Sequence, residues 1–444
     1  AVKPIEPVFL DYQKDMSQLK AKSDIPVLYK QNVANDLFQL IYVFDMGNNH
    51  DKALGTAFDY LEYLGTSDMT PEELKSEFYR LACTFYVSPG NERTYVVLSG
   101  LNENMPAAVQ LFEKLLADAQ VNKEAYTNMT GDILKARSDA KLNQGQNFSR
   151  LMSFAMYGPK SPATNLLTEA ELTNMNPQEL VDRIHNQNSY KHRILYYGPS
   201  SSKNLLATIN QYHQVPATLK EIPAGNEYSY LETPVTKVLI APYDAKQIYM
   251  AQISNLDKKH DPAIEPIRAL YDEYFGGGMN SIVFQEMRET RGLAYSAWAS
   301  IMPPSYLKYP YVLRTQIATQ NDKMIDAVTT FNDIINNMPE SEAAFKLAKD
   351  GLTNRLRTER IIKGDIIWSY INAQDLGQNV DPRIKLYNDI QNMTLKDIVD
   401  FQKQWVKGRT YVYCILGDKK DLELDKLKAV GPIEELTQEQ IFGY

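Results

Sequence analysis

Two arginines and a tyrosine lie close together in the stretch GGGMNSIVFQEMRETRGLAYS, which spans residues 276–296. Arg288 and Tyr295 are seven residues apart, and Arg291 lies between them. A guanidinium is permanently charged and carries five N–H donors, and a phenol donates one hydrogen bond, so the pair could bind a peptide carbonyl or a carboxylate. Neither arginine has an acidic residue three or four positions away, where helical side chains meet. From the local sequence alone, we expect these arginines to be solvated or to pair with another segment.

The three glycines that open this stretch have two alternative interpretations. A phosphate-binding loop requires the pattern GxxxxGK[ST] after a strand, and no lysine followed by serine or threonine stands at that spacing here. A turn that needs backbone freedom or a close approach is more economical. In that interpretation Asn280 or Ser281 caps the following helix and Gly292 ends it.

Composition limits the class of protein. The chain has 444 residues, of which 44% are hydrophobic and 23% charged, as in globular proteins with more than one domain. A net charge of −8 without a basic block argues against a nucleic-acid partner. No apolar run reaches the roughly 20 residues of a membrane span. The chain starts at Ala1 without methionine or a signal peptide, so we expect a processed form or a fragment.

The cysteines and histidines show no metal-binding pattern. Cys83 and Cys414 each lie in an apolar, strand-like run, so we predict buried thiols. No two histidines are three or four residues apart, and neither HxxEH nor HExxH occurs. Scattered histidines are usually surface or structural residues, and here they are His50, His185, His192, His213 and His260.

The chain contains an internal repeat. Two strand-like runs, HRILYYG and TYVYCILG, both close on a glycine that precedes a polar turn with lysine. Three blocks match in the same order, with offsets of 211 and then 219 positions. The matched pairs are Glu62/Glu273, Tyr63/Tyr274 and Gly65/Gly276 at 211, and Met105/Met324, Phe112/Phe331 and Gly198/Gly417 at 219.

Each copy has the same predicted order of elements. The first copy opens with the alternating, strand-like runs PVLYKQ and LFQLIYVF, and the second copy opens with KVLIAP and QIYMAQISN. Helices, further strands and a final strand follow in each copy. In the first copy Thr70 is predicted to cap a helix that begins with Pro71. This order predicts an α+β protein of two homologous tandem domains, at residues 1–220 and 221–444, each with a mainly antiparallel sheet covered by helices.

The stretch GGGMNSIVFQEMRETRGLAYSAWAS resembles the signature of the pitrilysin/insulinase-type (M16) zinc metallopeptidases. The resemblance covers nearly the whole chain through the repeat and is stronger in the second copy. It implies homologous α/β domains, two pairs of which form halves that close around a peptide. One half of such an enzyme carries the zinc motif HxxEH and a distant glutamate, and the other carries an arginine and a tyrosine spaced R-x6-Y. That pair falls here on Arg288 and Tyr295.

The first copy departs from the zinc motif. The motif position is occupied by DYLEY at 59–63, so Asp59 and Tyr63 replace the two histidines and only Glu62 keeps its type. The distant ligand position falls near Asp132 in a loose alignment. Catalytic zinc needs three imidazole or carboxylate ligands at about 2.0–2.2 Å, and a phenol with a pKa near 10 is a poor substitute. We therefore expect no catalytic zinc in this chain.

The resemblance thus implies a non-zinc, C-terminal half of an M16-type peptidase, as a separate subunit or as part of a longer chain. Zinc is expected in the partner half, while Arg288 and Tyr295 bind peptide and stabilise the tetrahedral intermediate. Arg291 is expected to pair with Glu286 or Glu289 of a neighbouring subunit or with another segment.

Other classes remain open for this chain. One is an inactive scaffold of M16-like fold, and another is a subunit that binds peptides without cutting them. A self-sufficient peptidase is the least favoured class because the zinc ligands are missing. By analogy alone, the expected compartment is the periplasm or envelope of a Gram-negative bacterium, with the cytoplasm as the alternative.

Overall fold

A computed structural model describes residues 5–245 and 247–444 and contains two six-stranded sheets. The strands of the first sheet are β1 Ser17–Lys20, β2 Pro26–Gln31, β3 Leu37–Phe44, β4 Cys83–Pro89, β5 Thr94–Leu101 and β6 Arg193–Gly198. Those of the second are β7 Lys237–Pro242, β8 Gln247–Lys259, β9 Ser296–Met302, β10 Pro310–Gln320, β11 Val412–Gly417 and β12 Ile433–Glu435.

Helices surround both sheets. The first half contains α1 Tyr12–Asp15, α2 Leu54–Leu61, α3 Pro71–Arg80, α4 Met105–Asp118, α5 Lys123–Lys141, α6 Gln144–Tyr157, α7 Glu169–Asn174, α8 Gln178–Asn186 and α9 Ser202–Tyr212. The second contains α10 Glu265–Phe275, α11 Ile282–Phe284, α12 Met324–Asn336, α13 Glu342–Thr358, α14 Asp365–Asp375, α15 Pro382–Ile390, α16 Leu395–Trp405, α17 Leu424–Val430 and α18 Gln438–Phe442.

The two sheets repeat one topology. Their strand orders are β1-β2-β6-β3-β5-β4 and β12-β7-β11-β8-β10-β9, so five strands correspond in sequence and position. Among the described strands, only β2 with β6, β7 with β11 and β7 with β12 pair in parallel, and the other pairs are antiparallel. This confirms the predicted fold class, whereas the domain boundary at 220/221 stays a prediction. The sixth strand differs between the two sheets. In the chain, β1 comes before the other five strands of its sheet, whereas β12 comes after the other five strands of its sheet.

Local sequence explains where several elements begin and end. The hydroxyl of Thr70 accepts a hydrogen bond from the amide of Glu73 at 3.2 Å, and the Glu73 carboxylate accepts one from the Thr70 amide at 2.8 Å. With Pro71 at the first helical position, these bonds define the start of α3, as predicted. Both cysteines are buried in strands, Cys83 in β4 and Cys414 in β11, which confirms the predicted thiol environment.

Each sheet buries both of its faces. One face of each sheet packs on helices of its own half and forms the two largest apolar cores. The other face of the first sheet is covered by α14 from the second half, through Ile366, Ile367 and Ile371. The other face of the second sheet is covered by α6 from the first half, through Phe148 and Leu151. The halves therefore exchange one helix each, and neither sheet is fully covered without the other half.

An ion pair joins the halves beside this helix exchange. The guanidinium of Arg93 in the β4–β5 turn donates two hydrogen bonds to Asp375 at the end of α14, at 2.6 and 2.5 Å. It donates a third to Asp45, at 2.6 Å. Burial disfavours the charged form of Arg93, but the carboxylates of Asp375 and Asp45 favour it more strongly. The pKa of Arg93 is therefore raised above its usual value.

We expect Arg93→Ala to lower the free energy of unfolding by about 3 kcal/mol, because it leaves Asp375 without its partner at a largely buried position. Urea unfolding followed by circular dichroism measures this change. Arg80 pairs with Glu77 on the surface, so Arg80→Ala is the control and should cost less than about 1 kcal/mol. Equal losses for the two variants would contradict the proposed importance of the contact between the halves.

A buried polar group lies inside the first core. The carboxylate of Glu113 accepts hydrogen bonds from the Tyr42 hydroxyl at 2.9 Å and from the Asn188 amide at 3.0 Å. Its Oε1 lies 2.5 Å from Nδ1 of His213, whose Nε2 lies 2.8 Å from Nε2 of His192. Burial and the neighbouring His213 lower the pKa of His192 to about 3.

This histidine should make the protein sensitive to acid. The folded pKa of His192 lies below the unfolded value of 6.5, so the unfolded chain takes up the proton first and stability falls as pH drops from about 6.5 towards 3. Between pH 7 and pH 5 the expected loss from this residue is about 2 kcal/mol. Urea unfolding at both pH values should show a smaller loss for His192→Gln, whereas the exposed His185→Gln should keep the wild-type loss. Identical pH dependence in all three proteins would refute this prediction.

Candidate functional site

The segment with the Arg-x6-Tyr pair begins with a capped helical turn. The Ser281 hydroxyl accepts a hydrogen bond from the Phe284 amide at 3.4 Å, so Ser281 rather than Asn280 is the cap of α11. The chain then continues as a π-helix over Gln285–Thr290. It ends at Gly292, whose φ of +58° lies in the left-handed region that favours glycine, as the sequence predicts.

The preceding glycines have different roles. A Cβ at Gly276 would lie 2.2 Å from the carbonyl oxygen of Ala299, so this glycine lets the end of α10 approach β9. The Ala299 amide donates a hydrogen bond to the Gly276 carbonyl at 3.4 Å across this contact. A Cβ at Gly278 would have no neighbouring atom within 4 Å. The glycine run thus permits a close backbone approach, in agreement with its interpretation as a turn or close approach.

Arg288 and Tyr295 are brought together at the surface. The guanidinium carbon of Arg288 lies 5.6 Å from the centre of the Tyr295 ring and 5.1 Å from that of Phe284. The Tyr295 side chain is 72% exposed. Arg288 has a charge contact of 3.6 Å with Glu289, longer than a hydrogen bond. Among the residues that the structure describes, no hydrogen bond occupies the donors of this pair, which remain available to a ligand.

The backbone under this pair is firmly anchored. The Tyr295 amide donates to the Ala318 carbonyl of β10 at 2.9 Å, and the Leu293 amide donates to the Met287 carbonyl at 2.9 Å. The Met287 and Ala294 side chains are buried in the second core. The side chains of Arg288 and Tyr295 therefore project from a fixed scaffold and would need little reordering to contact a ligand.

Arg291 has a structural partner in its own segment. Its guanidinium lies 3.5 Å from the carboxylate of Glu286, five residues earlier, and also donates to the Thr330 hydroxyl at 3.4 Å. The π-helix explains the spacing, since its turn is wider than that of an α-helix. The expected contact with another segment is made with Thr330 of α12, while the carboxylate partner is Glu286 of the same segment rather than of the expected neighbouring subunit. The sequence did not indicate this contact because a five-residue spacing matches a π-helix and not an α-helix.

The degenerate zinc positions lie at the end of α2. Asp59, Glu62 and Tyr63 are all exposed, and Asp132 is exposed on α5. Partial burial and the neighbouring Glu62 carboxylate raise the pKa of Asp59. Within residues 5–245 and 247–444, no group of three or more histidine, cysteine, aspartate or glutamate side chains is placed to hold a metal. Two carboxylates and a phenol do not match the donor set of a catalytic zinc site.

Two α+β halves of one topology and an exposed Arg-x6-Tyr pair are the features that the resemblance to M16 peptidases implies. Comparison with known proteins agrees with this resemblance. Residues 198–352, which include Arg288 and Tyr295, match the family model of the Peptidase M16 inactive domain. The resemblance to the M16 family is thus confirmed, and the matched domain is the family's inactive type.

Similarity extends along the chain. This chain is 22% identical over 424 residues to the "Non-peptidase homolog YmxG" of Helicobacter pylori, and the match covers 90% of this chain and 93% of that protein. A crystal structure of a peptidase M16 inactive domain from Pseudomonas fluorescens superposes with a TM-score of 0.71 at 15% identity, covering 91% of this chain and 98% of that one. The periplasmic protease PqqL from Escherichia coli superposes with a TM-score of 0.74 at 13% identity, covering 94% of this chain but 47% of that one.

The described helices include none long and apolar enough to cross a membrane.

The close approach at Gly276 generates a stability prediction. Gly276→Ala should lower the free energy of unfolding by about 2 kcal/mol, because the added methyl group meets backbone atoms of β9 that cannot rotate away. Gly278→Ala, two residues further along, has open space and should change it by less than about 0.5 kcal/mol. Thermal unfolding of the two variants makes the comparison, and a Gly276→Ala protein as stable as wild type would contradict the packing described here.

Proposed function

We propose that this chain is a non-catalytic, peptide-binding subunit of M16-like fold that presents Arg288 and Tyr295 to an extended peptide. The observation that carries the proposal is the exposed pair on an anchored backbone, with hydrogen-bond donors that no described residue occupies. Arg291 differs from Arg288, because it donates a hydrogen bond to the Thr330 hydroxyl at 3.4 Å, whereas Arg288 has a charge contact of 3.6 Å with Glu289.

The aromatic neighbours suit Arg288 to peptide recognition. Its guanidinium contacts the rings of Phe284 and Tyr295, and such stacking restrains the plane of the guanidinium while its N–H edges stay free. Those edges can donate two parallel hydrogen bonds to a carboxylate, or single bonds to successive carbonyls of a peptide. The Tyr295 hydroxyl supplies a further donor beside them. Met279, also largely exposed, provides an adaptable apolar surface nearby in the same segment.

A second candidate function uses the same two residues in a shared active site. In an assembly with a zinc-bearing HxxEH half, the partner's zinc would supply Lewis-acid activation of water. Tyr295 would then donate a hydrogen bond to the carbonyl oxygen as negative charge develops on it, and Arg288 would position the peptide. The retained R-x6-Y spacing favours this candidate, while the similarity to a protein named a non-peptidase favours the first. The periplasm is proposed as the compartment, by analogy alone.

Peptide binding tests the first candidate directly. The probe is a fluorescein-labelled pool of unstructured 15-residue peptides, followed by fluorescence anisotropy with the chain alone. We expect Arg288→Ala to weaken binding about tenfold and Tyr295→Phe to weaken it by a smaller factor, because each removes donors that the ligand uses. Arg291→Ala is the matched control in the same segment and should stay within about twofold of wild type. Mass spectrometry should recover the bound peptides intact.

Wild-type affinity in the Arg288→Ala and Tyr295→Phe variants would refute the proposed role of the pair. To separate the two candidates, the same variants are mixed with a zinc-bearing HxxEH half and assayed with quenched fluorescent peptides. Cleavage that requires this chain and falls about tenfold or more in the double variant would establish the shared active site. Cleavage that does not depend on this chain would leave peptide binding as its function.

A further inference from the structure

The connection between α9 and β7, which joins the two halves, starts at a pair of buried histidines. His213 is the first residue after α9, and its Nε2 lies 2.8 Å from Nε2 of His192, next to the start of β6. The Nδ1 of His192 lies 2.7 Å from the carbonyl oxygen of Tyr190. Because a carbonyl only accepts, this nitrogen carries the hydrogen of neutral His192. The Nε2 of His192 therefore accepts the hydrogen that His213 donates.

Acid is incompatible with this hydrogen bond. A proton can enter His192 only at Nε2, where it would face the N–H of His213 and turn the acceptor into a second donor. Burial and the neighbouring His213 disfavour that charge, and they lower the pKa of His192 to about 3 in the closed site. An opening that exposes the ring to solvent returns the pKa to near 6.5. Acid therefore favours an open form of this site over the closed form.

Main-chain hydrogen bonds attach the connection to the segment that carries His192. The carboxylate of Glu113, which contacts His213, accepts from the Gln214 amide at 2.9 Å. Six residues further on, the Lys220 amide donates to the Ser189 carbonyl at 2.8 Å. The Lys220 carbonyl accepts from the backbone amide next to His192, at position 191, at 2.9 Å. The start of the connection is thus held at two points on either side of the histidine pair.

A cavity lies beneath this part of the chain. Residues 214–222, here termed the latch segment, contribute Leu219 and Ile222 to its lining. Ile25 and His192 also line it, and its volume is about 660 Å³. A displacement of the latch segment would therefore admit water to the His192 ring and expose apolar side chains that now face the cavity.

The other groups around the cavity are already paired or apolar. The charged side chains of the lining occur in ion pairs, which are Lys191 with Glu221, Arg193 with Asp45, and Asp24 with Lys20. On the side of the core, His192 packs against the rings of Tyr42 and Phe44 in β3, with centres 6.0 and 4.6 Å away. Of the side chains named here, only the two imidazoles normally titrate between pH 5 and pH 7.

We propose that His192, His213 and Glu113 form an acid-sensitive latch, which holds the latch segment closed at neutral pH and releases it when His192 takes up a proton. The release is local, so that both sheets persist in the open form. This inference goes beyond the proposed function, because it concerns the connection between the halves and does not involve Arg288 or Tyr295.

Hydrogen exchange of the wild-type chain at pH 7 and pH 5 tests the latch. After correction for the intrinsic effect of pH on amide exchange, protection of the Gln214 and Lys220 amides should fall about 25-fold, because the opened His192 regains a pKa near 6.5. At both pH values these two amides should be at least about tenfold less protected than the amides of Leu40 and Ile41 in the centre of β3.

Three variants separate the histidine from other causes of opening. His192→Gln can still donate and accept hydrogen bonds but does not titrate, so protection should fall less than about threefold. His185→Gln, at an exposed histidine, is the matched control and should keep the wild-type fall. Ser23→Ala removes the hydrogen bond from the Ser23 hydroxyl to the Pro216 carbonyl at 2.7 Å. It should speed exchange of the latch segment by the same factor at both pH values.

Three results would overturn the proposal. One is protection of the Gln214 and Lys220 amides that does not change between pH 7 and pH 5. Another is equal protection of these amides and the β3 amides at pH 5, because opening would then be global unfolding. The third is a wild-type fall that persists in His192→Gln. If that variant does not fold, the wild-type comparison of the latch segment with β3 decides alone.

Discussion

The exchange of one helix between the halves is the constraint on which the rest of the structure depends. A sheet with two apolar faces must cover both of them, and the helices of each half cover one face of its own sheet and only part of the other. Helix α14 covers the second face of the first sheet, and α6 covers that of the second. The pairing of Arg93 with Asp375 lies at the end of one exchanged helix. The two repeats are therefore expected to fold and function as one unit.

A scaffold held in this way allows the repeats to diverge at their edges. In the second half, α10 approaches β9 at Gly276, closes the outer edge and supports the segment that carries Arg288 and Tyr295. In the first half, the equivalent helix α2 and the residue after it carry two exposed carboxylates, Asp59 and Glu62. The same duplicated framework thus presents a stacked cation with free donors in one half and an acidic pair in the other.

The sequence predicts those features that local pattern controls. The runs PVLYKQ and KVLIAP are β2 and β7, as predicted, although their burial is continuous over three or four residues and does not alternate. The Thr70 cap and the turn at Gly292 also follow from local chemistry. The contact between Arg93 and Asp375 joins residues 282 positions apart, and no local pattern indicates it. The contact between Arg291 and Glu286 was missed because it depends on a π-helix.

Hydrogen–deuterium exchange of the chain with and without the bound peptide pool tests the central claim most directly, because it reports which amides a ligand covers. We predict slower exchange in the segment from 284 to 296, with bound peptides recovered at unchanged mass and the helices α12 and α16 unaffected. Unchanged exchange in this segment under saturating peptide would contradict peptide binding there. Cleaved peptides recovered from the chain alone would contradict the proposed non-catalytic function.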